Sequence, residues 1–432
     1  MIKKISLITL FSCLLIWLGY FTPRQFFWQL FGLYSALFVV YFFLIKTVKN
    51  AREIIFTGIF YRLLLLFAIP ALSDDFYRFV WDGRLLLNGL NPYTILPVDF
   101  IQSVDFQQII GDKNIFDKLN SPHYYTVYPP LNQLIFAASA SLSRGSLLGN
   151  ILGLRIFILL AETGILYFSY RLLKKSKRFS DDKNLSLYAF NPLIIIELTG
   201  NLHFEGVVMC FLVGALYVGV QNPKSLFFSS FFFACAVCVK MLPLIFIPLI
   251  INVLGFKKGV IYTVFVGLFT LLFFMPFLDQ TLIEKLFSSV NLYFQKFEFN
   301  ASIYYLFREI GFKIYGYNII GFLGKSLAFL TFSGILFLSW KIENLFLGAL
   351  VILTLYFSMA TTVHPWYASS LIVIAIFTKF RYPIIWSYSV FLSYATYQTK
   401  LYQENLWLVA LEYLMFFGMM FYELKTSFTK QK

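Results

Sequence analysis

Long apolar runs separated by brief polar breaks repeat along almost the whole chain. They fall near 5–22, 27–46, 54–71, 147–172, 185–199, 206–221, 225–239, 241–254, 259–278, 318–340, 344–361, 366–378, 382–397 and 405–423. Crossing ~30 Å of hydrocarbon takes ~20 apolar residues in a helix. Most of the runs approach that length. None alternates strictly between apolar and polar positions, so they read as helices with internally closed hydrogen bonds rather than barrel strands. The runs at 241–254, 366–378 and 382–397 are short enough to be broken or tilted. The pattern predicts an all-α polytopic membrane protein with 11–14 spans, forming one transmembrane domain over residues 1–432. No repeat of 20–50 residues is visible.

Two stretches break the apolar pattern for longer, 73–146 and 279–317. The first is rich in aromatics and has no Gly/Ser tract, so it predicts ordered structure, including helices on the membrane surface. Phe76, Val80 and Leu87 share one helical face, while Asp75, Arg78 and Asp82 fall within about 60° of one another on a second. Asn91-Pro92-Tyr93 ends that helix as a turn. After Tyr128-Pro129-Pro130, residues 131–142 are too few to span and predict a re-entrant or interfacial helix. The second stretch mixes aromatics and bases (Tyr293, Phe294, Gln295, Lys296, Phe297, Arg308) and reads as a lid or an interfacial belt.

Composition fits this picture: 59% of residues are hydrophobic, 21% aromatic and 13% charged, against roughly 25% charged in a soluble domain. The net charge of +14 does not point to nucleic acid, because the bases cluster in alternate loops. With Lys3 and Lys4 inside, the other inner clusters are Lys46/Lys49/Arg52, Arg171/Lys174/Lys175/Lys177/Arg178, Lys257/Lys258, Lys379/Arg381 and Lys425/Lys430/Lys432. Both termini are then expected in the cytoplasm of a plasma-membrane protein, with 73–146 and 279–317 outside. The Met1–Lys4 start mimics a secretory signal and Leu10–Cys13 a lipoprotein site, but the apolar run continues to Tyr20, which predicts an uncleaved helix. Cys13, Cys210, Cys235 and Cys238 all lie in apolar runs, and the single CxxC at 235–238 reads as packing.

The candidate chemistry lies at the expected outer ends of the runs. Asp74 and Asp75 open the first loop, and a carboxylate there can serve as general base for a hydroxyl acceptor. Neighbours on a helix diverge by ~100°, so only one of the two can point at a given substrate. Arg78 and Arg84 could grip a phosphate through bidentate guanidinium contacts, or simply neutralise Asp82. A second patch, Asn191-Pro192-Leu193 with Glu197 and Gly200-Asn201-Leu202-His203-Phe204-Glu205, reads as a polar hairpin tip able to meet sugar hydroxyls. A third, His364-Pro365-Trp366-Tyr367, offers an imidazole that can donate to a phosphate and titrate near neutrality. Lys240 could pair with an anionic head group or snorkel. No metal-ligand spacing is present. Gly321-Phe-Leu-Gly324-Lys325-Ser326 lacks the first glycine of a P-loop and follows no strand, so no nucleotide site is expected.

Taken together and in order, Asp75-Phe76-Tyr77, Gly83-Arg84, Gly89-Leu90-Asn91-Pro92-Tyr93, Tyr128-Pro129-Pro130-Leu131, Asn191-Pro192-Leu193, Gly200-Asn201-Leu202-His203, Lys240 with Pro243, and His364-Pro365-Trp366-Tyr367 resemble the GT-C class of integral-membrane glycosyltransferases. The similarity is greatest to polyprenyl-phosphate-mannose-dependent mannosyltransferases of the bacterial and GPI-anchor type. That resemblance implies inverting transfer of a hexose, mannose first, from a polyprenyl-phosphate donor in the lipid bilayer to a glycan, glycolipid or protein hydroxyl outside the cytoplasm. It implies a base at Asp75, or at Asp74 in a subgroup with an adjacent acid pair. Arg78, Arg84, Lys240 and His364 would hold the phosphate, and Asp82, Asn91, Tyr93, Tyr128, Asn201, His203, Glu205, Trp366 and Tyr367 would line the substrate site. No metal or cofactor is implied. Glu205 stands where relatives of this class carry a smaller acid or amide, which bears on the acceptor. A lipid-linked glycan flippase, or a polysaccharide polymerase or ligase, would share the apolar bulk. Paired repeats with interrupted midplane helices would favour the former, and dependence on arginines the latter.

Overall fold

The structure is a computed structural model that describes residues 2–143, 145–175, 181–221, 225–285, 288, 297–399 and 402–429. Lys177, Arg178, Lys430, Lys432 and the loop residues Tyr293, Phe294, Gln295 and Lys296 lie outside the described residues. The main helices are α1 (Ile2–Phe21), α2 (Phe27–Thr47), α3 (Ala51–Leu64), α4 (Asp75–Leu87), α5 (Pro130–Leu142), α6 (Leu147–Lys175), α7 (Glu205–Gln221), α8 (Leu226–Val239), α9 (Ile247–Leu254), α10 (Phe256–Phe274), α11 (Ile303–Tyr315), α12 (Ile320–Lys341), α13 (Leu345–Met359), α14 (Ala368–Ala375), α15 (Tyr382–Ser389) and α16 (Leu406–Thr429). Among the described residues β pairing is confined to one parallel bridge, Phe299 to Thr362.

The chain is a multi-pass α-helical membrane protein. Among the described residues six helices (α1, α2, α6, α10, α12 and α16) are long and apolar enough to cross a bilayer, and the π-helical turn Ile194–Gly200 with α7 makes a seventh when that pair, bent by 105°, is counted as one span. Four shorter apolar helices join them, each of 10–17 residues. Among the described residues six or seven helices thus meet the length and apolarity of a full span, and the shorter ones account for other apolar runs.

The three runs that looked short are each interrupted by a 3-10 turn, at Leu242–Phe246, Pro365–Tyr367 and Val390–Tyr397. The run at 185–199 departs further from expectation. Pro192 has no amide hydrogen to continue a helix, and the Asn191 side chain takes over its bonding. Asn191 Oδ1 accepts from the Leu193 amide at 2.9 Å while Nδ2 donates to Ser387 Oγ at 3.0 Å. Asn191 is therefore a fully buried break within the run rather than part of the hairpin tip, and the chain restarts as the π turn.

The run expected over 54–71 stops as a helix at Leu64, which leaves carbonyls without intrahelical partners. Arg155 of α6, fully buried, satisfies them. It donates to Leu66 O and Ala68 O, both at 2.6 Å, and to Thr199 O at 2.8 Å and Gly200 O at 2.9 Å. Two turns further along α6, Glu162 pairs with Arg62 of α3 at 2.8 Å and also accepts from Tyr188 and Thr199. Buried charges on one long helix thus bind both α3 and the π turn.

In the first loop α4 is buried from Phe76 through Leu85, while Leu87 is 49% exposed. The expected split into an apolar and a charged face is not kept, because α5 and three short helical turns cover α4 on its charged side as well. Gly83 makes the close approach to α5, where a methyl group would collide with the Phe136 carbonyl. Trp81 is enclosed by Phe100, Phe106 and Phe116, with ring centres 6.0–6.2 Å away.

Replacing Arg155 strands four carbonyls at once, and each costs about 1–3 kcal/mol when left buried and unbonded. Arg155→Leu is expected to abolish the monodisperse peak in detergent size-exclusion chromatography. Lys325→Leu, at an exposed position, leaves the peak intact.

Candidate active site

The acid pair is placed by the segment that leads into it. The Leu72 amide donates to Asn201 Oδ1 at 3.0 Å, and Asn201 Nδ2 donates to Ile196 O at 3.0 Å, so residues 72–75 are pinned to the π turn. Asp74 takes the N-cap position of α4 without a capping bond from its side chain. Its carboxylate turns instead to Arg24, at 2.5 Å, whose guanidinium lies 4.7 Å from the Tyr397 ring centre. Asp75 is the first helical residue, where unpaired amides favour a negative charge. Its Oδ1 accepts from Asn120 Nδ2 at 2.7 Å. Loss of water pushes its carboxyl up to about 6; the Asn120 bond opposes this, the charges of Glu205 and Asp74 add to it, and Lys240 lowers it.

Glu205 and Lys240 face this acid from the ends of two other helices. Lys240 closes α8, where Asn132 of α5 holds the Val239 carbonyl at 2.7 Å. Its ammonium lies 2.5 Å from Glu205 Oε1 and 4.0 Å from the Tyr367 ring centre. Glu205 starts α7, and the turn that brings it there passes through Leu202, whose φ of 64° is in the left-handed region. A buried leucine adopts that conformation only when its surroundings force it. Trp366 completes the wall, between His203 at 3.6 Å and His364 at 4.5 Å, both rings close to parallel with it. His203 Nε2 lies 3.6 Å from the Glu197 carboxylate, outside hydrogen-bond range. Burial, aided by the Lys240 charge, pushes His364 down to about 3. The expectation that it titrates near neutrality is corrected: a half-buried imidazole beside a cation stays neutral.

The His364 segment is tied to the second loop. Phe299 N donates to Thr361 O at 3.1 Å and Val363 N to Phe299 O at 2.8 Å, and the Phe299 ring lies 5.1 Å from His364. Arg308, on α11 in the same loop, pairs with Glu298 at 2.6 Å.

Other residues expected at the site are brought to neighbouring positions and bonded to the protein itself. Arg78 pairs with Asp82 at 2.7 Å and donates to the Ser121 and Tyr124 carbonyls at 3.2 and 2.9 Å. Asp82, fully buried, also accepts from Gln133 at 3.1 Å. Arg84 lies about 13 Å along the helix from Asp75 and donates to the carbonyls of Ile110 and Gly145. Asn91 Nδ2 donates to Phe277 O at 3.0 Å, and Tyr93 OH to Tyr128 O at 2.7 Å. These contacts stitch the first loop together and onto the end of α10.

Sequence reasoning missed Arg24 and Asn120. Arg24 carried a signal: it is a lone base in the Thr22–Gln25 break, on the side the basic loops avoid. Asn120 carried none, since it meets Asp75 from 45 residues away. Among the described residues no three His, Cys, Asp or Glu side chains converge as a metal-binding group.

A multi-pass helical bundle with a desolvated carboxylate, an ammonium and a stacked aromatic wall gathered at one end is the class of protein that these features define. The chain belongs to the MptA_B family, described as alpha-(1->6)-mannopyranosyltransferase, N-terminal domain, whose profile matches residues 6–255. That match includes Arg24, both acids, Glu205 and Lys240, and leaves out the His364–Tyr367 segment. Alpha-(1->6)-mannopyranosyltransferase B of Corynebacterium glutamicum is similar to it, 24% identical over 165 residues, or 37% of this chain. The matched stretch covers only 25% of that relative's length. No solved structure matches the chain.

Removing one partner of a buried ion pair costs about 3–5 kcal/mol. Arg78→Met is therefore expected to lower the melting temperature in detergent markedly, and adding Asp82→Leu to recover only part of the loss, because the Ser121 and Tyr124 carbonyls still lack the guanidinium.

Proposed function

We propose that this protein is a membrane mannosyltransferase that moves mannose from a polyprenyl-phosphate donor to an acceptor hydroxyl on the extracytoplasmic face, by one inverting displacement. The observation that carries this reading is Asp75, a carboxylate with a pKa raised to about 6, held within the field of the Glu205–Lys240 pair. The family and its Corynebacterium relative support mannose as the sugar. Their description favours the primary 6-hydroxyl of an acceptor sugar, borne by a glycan, a glycolipid or a glycosylated protein. Clustering of bases in the alternate loops supports cytoplasmic termini and an outer site.

Asp75 takes the proton of the acceptor hydroxyl as its oxygen attacks the anomeric carbon. The bond from that carbon to the phosphate oxygen breaks, and polyprenyl phosphate leaves with the electron pair. Lys240 offsets the charge that develops there, and neutral His364 donates a hydrogen bond without adding charge. Trp366, its faces covered by His203 and His364, presents an edge to the sugar, and Glu205 offers an acceptor for its hydroxyls. An inverting displacement that leaves an α linkage starts from a β-linked donor. The lipid tail stays in the bilayer and reaches the site between helices. Arg78 and Arg84, first expected at the phosphate, instead build the loop that carries Asp75.

With purified protein, polyprenyl-phosphate mannose and an alkyl mannoside, Asp75→Asn is expected to reduce polyprenyl-phosphate release by about 100- to 10,000-fold. Asp74→Asn remains active. Full activity of the Asp75 variant would sink the assignment, and transport of donor without turnover would favour a flippase. Because the deprotonated form is the base, kcat/KM should rise with pH up to about 6 and level off above it. Below that it falls about tenfold per unit.

A further inference from the structure

We infer that Arg24 is a positioning residue whose ion pair with Asp74 makes the two adjacent carboxylates unequal, leaving Asp75 as the one that accepts a proton. This rests on Asp75 being the base proposed above. Two neighbouring acids repel each other's charge, and each raises the other's affinity for protons. The two environments here differ. Arg24 reaches Asp74 across 50 positions of sequence at 2.5 Å, from the link between α1 and α2. Its guanidinium is seated over Tyr397, 4.7 Å from the ring centre, which fixes the direction of approach. Among the described residues no cation pairs with Asp75 in this way: its carboxylate accepts from the neutral Asn120 amide, and its backbone amide donates to the Ser73 hydroxyl.

The surrounding charges are few. Lys118 acts on Asp74, from a position 5.3 Å above the Tyr77 ring. Glu205, Lys240 and Asp74 act on Asp75, and the Tyr397 phenol feels Arg24 and both acids. Tyr367 feels Asp75 and Glu205. Without Arg24, the unneutralised Asp74 would hold the Asp75 proton more tightly and take the base out of action at mildly acidic pH. With Arg24 and no Asp74, the bare guanidinium would do the reverse.

The test is a set of pH–rate profiles for the full-length protein, with polyprenyl-phosphate mannose as donor, alongside carbodiimide labelling of Asp75 followed by mass spectrometry. Arg24→Gln is expected to move the acid limb, and the labelling midpoint, up by about 0.5–1 pH unit. Asp74→Asn moves both down, the double variant returns both close to wild type, and Arg24→Lys keeps them near it. Thermal melts in detergent show whether each variant is folded. A purely structural role for Arg24 lowers activity at every pH and leaves the limb where it was, and that outcome overturns the inference. So does a shift of the same sign in Arg24→Gln and Asp74→Asn. A fully active Asp75→Asn would remove the base itself; that failure is separable, because the labelling midpoint would still answer to Arg24.

Discussion

The guanidinium of Arg155 is the point on which the rest of this structure depends. A charge at that depth has no water to hydrate it, and its solvation must come from the protein. Four carbonyls supply it, two from the chain just after α3 and two from the end of the π turn. Each side solves the other's problem. The carbonyls would be stranded by the ends of their helices, and the cation would be stranded by the bilayer. The result ties together two segments distant in sequence at the place where both approach the acid-bearing loop. From the π turn the chain passes through Leu202 to His203 and Glu205; from residues 66–68 it runs to Asp74 and Asp75. Without this junction Asp75 and the Glu205–Lys240 pair would share no common frame.

A sequence reveals such a junction only in part. The apolar runs and their breaks were legible because each is a local property, and Pro192 announces its own break. The acid pair was legible because two carboxylates in an apolar chain demand a reason. For Arg78 and Arg84 a phosphate contact and neutralisation of Asp82 both stood open, because the chain does not show whether an arginine will spend its donors on a ligand, a carboxylate or distant carbonyls; Arg78 does pair with Asp82. The same limit hid the burial of the charged face of α4, whose cover is made by the later part of the loop. The protonation expected of His364 was wrong, because burial and the charge of Lys240, distant in sequence, push its pKa down.

The motif that supports the resemblance therefore divides its labour. Asp75, Lys240, His364 and Trp366 lie near one another, whereas the contacts of Asn91, Tyr93 and Arg84 hold a loop in shape. Asn91 and Tyr93 do so through side-chain bonds to main-chain carbonyls, which fix backbone position irrespective of the residue that carries the carbonyl. A short motif can thus encode a scaffold and a reaction at once.

The parallel bridge between Phe299 and Thr362 unites two pieces of chain that would otherwise move separately. Main-chain hydrogen bonds on both sides of Phe299 make residues 297–302 and 361–363 a single lever, with an imidazole at one end and α11 at the other. Both bonds run through backbone atoms, so the tie does not depend on which side chain stands at 299. The place of the imidazole beside Trp366 thereby rests on backbone bonds to a segment far earlier in the chain, and not on its own helix alone.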